Sequence, residues 1–305
     1  MPLEIYKEKR FSAESLVIIE TANAIIEKYQ AQGYDLTLRQ LYYQFVARDL
    51  IPNRQSEYKR LGSIINDARL AGLVDCTAIV DRTRELRKLA HWEEPQDIVD
   101  ACVRSFRIDK WHRRFQQRRL EVWIEKDALV GVIADVCEEF DVPYFSCRGY
   151  NSQSEMWAAA TRLRNWKFGG QRPLIIHLGD HDPSGLDMTR DIKDRHDLFC
   201  SYAYVKRIAL NMEQIEEYEP PPNPAKITDS RAAAYIDEHG HDSWELDALE
   251  PQVITELIRE TIEGNRDPVG WAEACVEEAE HVASLKLVCK RWSDVTAFLK
   301  GEENA

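Results

Sequence analysis

The sequence predicts a protein of the mixed α and α/β class, with a helical N-terminal domain followed by a domain built on a parallel-rich sheet flanked by helices. A chain of 305 residues is long enough for about two domains. From residue 119 onwards, apolar strand-like runs alternate with helix-like segments, which is the pattern of parallel strands joined by crossover helices. The preceding part has mainly helical periodicity. We therefore place the domains at residues 1–115 and 116–305.

The N-terminal part is expected to contain three helices and a hairpin. Residues 12–31 carry isoleucines and alanines on one side at helical spacing. Thr37 followed by Gln40 is a capping-box pattern that starts a second helix, and residues 56–75 read as a third. The segment CTAIVDRTR, residues 76–84, then reads as a hairpin or wing. This order resembles a winged helix-turn-helix, a DNA-binding fold, although a small helical bundle with no nucleic-acid role gives the same pattern.

The C-terminal part alternates four strands with three helices. The strand segments are RLEVWIEKD, VPYFSCRGY, PLIIHLGD and YAYVKRIAL, and the helix segments between them are ALVGVIADVCEEF, SQSEMWAAATRLRNW and GLDMTRDIKDRH. Ligands of parallel sheets bind beyond the carboxyl ends of the strands. Glu125, Gly149 and the pair Asp180 and Asp182 each follow a strand, so we expect them at one edge of the sheet.

The turn GDHDPSG, residues 179–185, presents two carboxylates one residue apart after a buried strand. In an extended segment Asp180 and Asp182 point to the same side. Like charges this close need a cation between them, and a small set of carboxylates suits Mg²⁺, with Mn²⁺ as a substitute. We expect Glu125 to join them as a third ligand or as a general acid or base. An ordinary surface turn rich in Asp, Pro, Ser and Gly is the alternative.

A tyrosine pair on the predicted second helix supplies a candidate nucleophile. Leu41, Tyr42 and Phe45 fall within one apolar stripe, so Tyr42 is expected in the core. Tyr43 lies outside that stripe, one turn after Arg39, and the two should share an exposed face. The guanidinium of Arg39 would favour negative charge on the Tyr43 hydroxyl. An exposed tyrosine that touches a phosphate without reacting is the alternative.

Charge distribution bears on nucleic-acid binding. The net charge of −13 argues against it, but Lys and Arg outnumber Asp and Glu in residues 1–120. The segment RSFRIDKWHRRFQQRR, residues 104–119, interleaves basic and aromatic residues, which is typical of a phosphate-binding segment and equally of a solvated amphipathic helix. The candidate DNA contacts are Arg60, Arg69, Arg113, Arg114 and Arg148.

Composition also limits the class of protein. No apolar run reaches the ~18 residues of a membrane span, and the first residues contain no apolar signal segment. The seven cysteines are scattered without a CxxC pair, which disfavours a structural zinc site and a disulfide framework. We therefore expect a cytoplasmic protein with no membrane partner.

Taken together, these motifs resemble one known family. A Glu ending one strand and a DxD ending a later strand is the pattern of Toprim domains. The fuller form GDHDPSG is similar to the DxDPxG motif of topoisomerase VI A subunits and of the meiotic double-strand-break transesterases. LRQLYY, residues 38–43, resembles a motif in the CAP-like winged-helix domain of that family, and WELDAL, residues 244–249, resembles a later segment. The resemblance covers roughly residues 35–255, and the short chain is most similar to the compact stand-alone Mini-A proteins.

The resemblance implies a function. Residues 1–115 would be the CAP-like winged-helix domain and residues 116–305 a Toprim domain with a C-terminal helical extension. Tyr43 would attack a phosphodiester of double-stranded DNA and form a 5′-phosphotyrosyl link, with Mg²⁺ on Glu125, Asp180 and Asp182. A homodimer is implied, in which the tyrosine of one protomer meets the Toprim site of the other. Strand passage would require a separate GHKL-type ATPase subunit, since the sequence has no GxxxxGK[ST] loop.

Two other functions fit the same residues. A Toprim nuclease would hydrolyse nucleic acid with a metal-activated water, and Tyr43 would then only contact the substrate. A DNA-binding or scaffolding protein without catalysis is the third possibility.

Overall fold

The computed structural model describes residues 3–80, 89–112, 116–226 and 228–301. In chain order the helices are α1 Ala13–Gln30, α2 Leu38–Ala47, α3 Gln55–Leu70, α4 Pro95–Ser105, α5 Val130–Glu139, α6 Gln153–Phe168, α7 Pro183–Leu198, α8 Met212–Tyr218, α9 Ala232–His239, α10 Pro251–Glu263, α11 Pro268–Lys290 and α12 Trp292–Leu299. The strands are β1 Arg118–Ile124, β2 Tyr144–Ser146, β3 Arg172–Leu178, β4 Tyr204–Ala209, β5 Asn223–Pro224 and β6 Asp242–Ser243. None of the helices within the described ranges combines the length and the apolar character that a membrane span requires.

The chain divides into two compact units, Met1–Arg84 with Leu120–Gly264 and Glu85–Arg119 with Asn265–Ala305. The first unit thus contains the predicted winged-helix segment together with the sheet, and the second takes residues from both sides of the predicted boundary at 115. Sequence periodicity identifies individual elements, but it does not show which of them pack together.

The three N-terminal helices form where the sequence predicts them. Thr37 caps α2: its hydroxyl accepts from the backbone N–H of Gln40, whose side chain in turn accepts from the Thr37 N–H. Helices α1, α2 and α3 bury a common apolar core that includes Tyr29, Phe45 and Ile65. Residues 81–84 of the predicted hairpin lie outside the described residues. Before them, Ile79 forms a single parallel bridge with Leu36.

A parallel four-stranded sheet in the order β2-β1-β3-β4 confirms the α/β prediction. Strands β1 and β3 are central and almost wholly buried, which explains their continuous apolar sequences. Just beyond their ends, the Glu125 N–H donates to the Leu178 carbonyl at 2.8 Å. Helices α6 and α7 pack against each other and contact β3 and β4, whereas α5 packs against α10 and β2. This is the arrangement expected for right-handed crossovers in this strand order. The strand ends that carry the predicted carboxylates therefore meet at one edge.

The second unit is helical, and α4 packs against α11 within it. The alternative of an amphipathic helix over residues 104–119 is wrong in its described part, because α4 ends at Ser105 and only a 3-10 turn, Lys110–His112, follows there. Some of the basic and aromatic side chains of this segment are buried and do not face solvent. Trp111 is buried with its ring edge-on to Trp271, and the buried Lys110 ammonium pairs with Glu278 at 2.7 Å.

Candidate active site

A cavity of about 370 Å³ lies within the first unit, between helix α2 and the carboxyl edge of the sheet. Tyr43, Asp180 and Asp182 all line it. The loop between α2 and α3 and the two-stranded β5–β6 sheet also contribute to its lining. The structure therefore brings the predicted nucleophile and two of the predicted metal ligands, which are far apart in sequence, to one place in a single chain.

Tyr43 does not have the exposed position predicted for it. Only 3% of its surface is exposed, although it lines the cavity. The prediction from helical spacing considered only the face of α2 that packs against its neighbouring helices. The helix also packs against the turn Leu246–Ala248, which the spacing could not reveal. The prediction that Tyr42 is buried is confirmed. Its hydroxyl donates to Asn53 Oδ1 at 3.0 Å and accepts from the Arg54 N–H at 2.8 Å.

The Tyr43 hydroxyl is held neutral by its surroundings. It accepts a 3.4 Å hydrogen bond from the Asn223 amide. Burial raises the pKa of Tyr43, and the negative charges of Glu245 and Asp247 raise it further, whereas Arg39 opposes them. A reaction at this oxygen therefore needs a proton acceptor or an additional positive charge close to the hydroxyl.

Arg39 is next to Tyr43, as predicted, but its charge is already compensated. Its guanidinium carbon lies 6.0 Å from the centroid of the Tyr43 ring. The guanidinium pairs with Glu245 and, through Nε, with Asp247 Oδ2 at 3.1 Å. The sequence assigned no role to these two acids, although both lie in the WELDAL segment that carries part of the family resemblance.

Lys126 is a second residue that the sequence did not single out. Its half-buried ammonium lies 2.9 Å from Asp180 Oδ1, 2.8 Å from Glu245 Oε2 and 2.8 Å from Asp247 Oδ1. Burial disfavours the charged form, but the three carboxylates outweigh that effect and raise the pKa of Lys126. The ammonium therefore stays charged and holds the three carboxylates together. A lysine directly after the strand-ending Glu125 was the only signal in the sequence.

The three predicted metal ligands are held by different donors. Burial raises the pKa of Asp180 to about 7 despite the adjacent Lys126, and its Oδ1 accepts from the Leu246 N–H at 2.8 Å. Glu125 Oε2 accepts from the Asp180 N–H at 2.9 Å, and burial raises the pKa of Glu125 as well. Asp182 caps α7, where its Oδ1 accepts from the Gly185 N–H at 2.6 Å. Among the described residues, no donor hydrogen-bonds to the second oxygen of any of these three carboxylates.

Two glycines and a buried arginine fix the turn that carries the aspartates. A Cβ at Gly185 would lie 2.2 Å from the Asp180 carbonyl oxygen, and a Cβ at Gly179 would lie 2.8 Å from Glu125 Oε2. Arg207, on β4, donates to the carbonyls of Gly179 and Asp180 at 2.8 and 2.6 Å. Burial lowers the pKa of Arg207 to about 10, and the negative charges of Glu125, Asp180 and Asp182 oppose this effect. The turn is therefore a rigid support rather than a surface loop.

The acidic residues of the site have the ligand atoms, carboxylate oxygens, and the surplus negative charge that suit a hard divalent cation. The carboxylate cluster consists of Glu125, Asp180, Asp182, Glu245 and Asp247. If all five ionise, they exceed by two the cations beside them, Arg39, Lys126 and Arg207. Mg²⁺ usually takes one or two carboxylates and keeps several waters. In the described ranges, however, no group of three or more His, Cys, Asp or Glu side chains is gathered to hold a metal ion.

Three of the predicted DNA contacts, Arg60, Arg69 and Arg148, do not line the cavity. Arg60 pairs with Glu14 and Glu57, Arg69 donates to the carbonyls of Cys76 and Ile79, and Arg148 pairs with Asp127 at 3.0 Å. Arg113 and Arg114 lie outside the described residues. The basic residues that line the cavity are instead Arg39, Arg54 and Lys226.

No family model matches the sequence, and a search of curated proteins found no match. The geometry of the site and the motifs around it therefore carry the functional argument.

Proposed function

We propose that this protein cleaves DNA by tyrosine transesterification in a Mg²⁺-dependent reaction, as its resemblance to topoisomerase VI A subunits suggests. The observation that carries the proposal is that Tyr43 shares one cavity with Asp180 and Asp182. A phenol beside strand-end carboxylates is the arrangement that such a reaction needs.

In the proposed reaction the Tyr43 oxygen attacks a backbone phosphorus. A bond forms between this oxygen and phosphorus, the bond from phosphorus to the 3′-oxygen breaks, and a 5′-phosphotyrosyl link and a free 3′-hydroxyl result. The phenol loses its proton and the leaving oxygen gains one. Glu125, whose pKa is raised by burial, is our candidate for the general acid or base.

The remaining groups position and stabilise the reacting atoms. Arg39, beside the Tyr43 ring, would favour the negative charge that develops on the phenol oxygen. Asn223 would orient the hydroxyl. Mg²⁺ or Mn²⁺ would be held by Glu125, Asp180 and Asp182, and when bound it would stabilise charge on the transferring phosphate.

The finer structural assignments belong to the same proposal. Helices α2 and α3 would be the helix pair of a CAP-like winged-helix domain, and the sheet with its strand-end acids would be a Toprim domain. We further propose a homodimer on double-stranded DNA, because one site cuts one strand and a double-strand break needs two. Strand passage would use a separate GHKL-type ATPase subunit, and the scattered cysteines suit the cytoplasm.

The test uses end-labelled DNA incubated with Mg²⁺ and then separated under denaturing conditions. Wild-type protein should form a covalent adduct, and Tyr43→Phe should form none. Tyr42→Phe is the matched control, since it removes a neighbouring buried hydroxyl from the same helix. Adduct formation by Tyr43→Phe at the wild-type rate would contradict the proposal.

Hydrolysis is the second candidate function, and the burial of Tyr43 favours it. A neutral hydroxyl already bonded to Asn223 could simply help to bind substrate while a water attacks. In that case Tyr43→Phe would still produce breaks, and these would carry free 5′-phosphates. DNA binding without any breaks, from either protein, would indicate the non-catalytic scaffold.

A further inference from the structure

We propose that Asn53, in the loop between α2 and α3, is a positioning residue for Tyr43. It fixes the orientation of the Asn223 amide, so that this amide donates to the Tyr43 oxygen and leaves the phenol proton free to pass into the cavity. This inference rests on the proposed function for its chemistry, and it adds a residue that neither the sequence nor the resemblance singles out.

A chain of hydrogen bonds runs from this loop to the Tyr43 hydroxyl. The Asn53 Nδ2 group donates to Asn223 Oδ1 at 2.7 Å and to the Pro222 carbonyl at 3.0 Å. The Asn223 Nδ2 group in turn donates to the Tyr43 oxygen at 3.4 Å. Hydrogen bonds used in catalysis are often long before the substrate binds, so this last contact can shorten in the reacting complex.

A backbone carbonyl fixes the direction of each bond in this chain. An asparagine amide can turn over and exchange its oxygen and nitrogen, so its partners decide which atom faces which neighbour. The Pro222 carbonyl can only accept, and it therefore selects the NH2 group of Asn53. That group needs an acceptor in Asn223, which turns the Asn223 oxygen towards Asn53 and the Asn223 nitrogen towards Tyr43.

The other end of the Asn53 amide is fixed in the same sense. The Arg54 N–H can only donate, and it donates to the Tyr42 hydroxyl at 2.8 Å. The proton of that hydroxyl must then point to an acceptor. Asn53 Oδ1 accepts it at 3.0 Å, and the Arg54 carbonyl is a more distant acceptor at 3.2 Å. A backbone donor and a backbone acceptor thus impose the same orientation on Asn53.

The Tyr43 oxygen consequently faces donors. Burial and the charges of Glu245 and Asp247 raise the pKa of Tyr43, whereas the hydrogen bond from Asn223 and the charge of Arg39 lower it. Donors aimed at an oxygen stabilise the negative charge that develops there. Within the described residues the hydroxyl donates to no partner, so its proton is available to an acceptor in the cavity. An amide turned the other way would accept that proton and hold the phenol neutral.

The orientation is tested first without DNA, by the ionisation of the phenol. A polyfluorinated tyrosine placed at position 43 has a more acidic phenol, and its absorbance reports ionisation in a pH titration. Asn53→Asp puts an acceptor where the NH2 group stood, so the Asn223 amide should turn over and offer its oxygen to the phenol. We expect the titration midpoint to rise by ~1 pH unit or more, which is the effect of about one hydrogen bond.

Three variants are controls for this shift. Gln55→Glu adds the same negative charge at the cavity lining but outside the hydrogen-bond chain, and should shift the midpoint by less than half as much. Asn53→Leu is uncharged and removes the constraint without reversing it, so a smaller rise is expected. Tyr42→Phe should leave the midpoint nearly unchanged, because the Pro222 carbonyl still orients Asn53.

Circular dichroism checks the fold of each variant, and Asn53→Leu decides the question if Asn53→Asp does not fold. Equal shifts from Asn53→Asp and Gln55→Glu would show that charge alone moves the midpoint, and would overturn the inference. An unchanged midpoint in both variants of Asn53 would overturn it as well.

Adduct formation on double-stranded DNA with Mg²⁺ separates this inference from the proposed function. In the unmodified protein, Asn53→Asp should slow adduct formation ~10-fold near neutral pH, and the deficit should shrink as the pH rises. A purely structural defect would be the same at every pH. Adduct formation at the wild-type rate by Asn53→Asp would overturn the inference and leave transesterification intact. A shifted midpoint with no adduct from the wild type would overturn transesterification and leave the orientation of the phenol intact.

Discussion

The ammonium of Lys126 lies 2.9 Å from Oδ1 of Asp180, and this contact joins the end of β1 to the end of β3. The same ammonium contacts Glu245 and Asp247, so one positive charge lies among three carboxylates from two parts of the chain. Without it, the negative charges would face one another in a buried site. Lys126 therefore does for the isolated chain part of what a bound cation would do.

Replacement of Lys126 should be costly. Lys126→Met keeps most of the side-chain volume but removes the charge, and we expect the free energy of unfolding to fall by roughly 3–5 kcal/mol, as for one partner lost from a buried ion pair. Chemical denaturation measures this, with Lys193→Met as the exposed control. Mg²⁺ should recover more stability in Lys126→Met than in the wild type. A variant as stable as the wild type would show that Lys126 does not hold the cluster together.

Acid should destabilise the first unit partly through His196. This ring lies beside Trp123 and bonds to Ser201, and burial lowers the pKa of His196 to about 4. The unfolded chain binds a proton near pH 6.5 and the folded chain only near 4. The free energy of unfolding should therefore fall between these pH values, by at most ~1.4 kcal/mol per pH unit for this group. Denaturation of the wild type and of His196→Gln across this range would measure its share, and an unchanged slope in the variant would contradict the assignment.

Mixing two inactive variants tests whether the site forms within one chain. Tyr43 and Asp182 of the same chain line one cavity, so a mixture of Tyr43→Phe and Asp182→Asn should form no adduct. An asparagine in place of Asp182 can still cap α7, so we expect this variant to keep the fold. A site shared between protomers, as the family resemblance implies, would instead recover about a quarter of the wild-type adduct after random exchange of subunits.

Gly185 should not tolerate a side chain. Alanine would bring its Cβ to 2.2 Å from the Asp180 carbonyl oxygen, and neither backbone can move without displacing a cluster carboxylate. We expect Gly185→Ala to lower the free energy of unfolding by roughly 1–3 kcal/mol or more. Gly264→Ala, whose nearest contact would be 3.2 Å, is the comparison and should cost less. Equal effects on the melting transition would contradict this view of the turn.

The sequence predicted those features whose signals are local. The capping box of α2, the alternation of strands and helices, and the acids at strand ends each follow from a short stretch of residues. The burial of Tyr43 could not be predicted in this way, because the segment that covers it lies some two hundred residues further along the chain. The roles of Lys126 and Glu245 were missed for the same reason, since a charge pair leaves no periodic pattern.

The order of the strands has a consequence for where chemistry can occur in this protein. From β1 the chain winds outwards to β2, whereas from β3 it winds in the opposite direction to β4, so the connections diverge between these two central neighbours. This divergence opens a crevice at the topological switch point of the sheet. Glu125 and Asp180 stand on its two sides. The location of the site is therefore a property of the winding of the chain, and the side chains at that crevice can change without disturbing the hydrogen-bonded ladder beneath them.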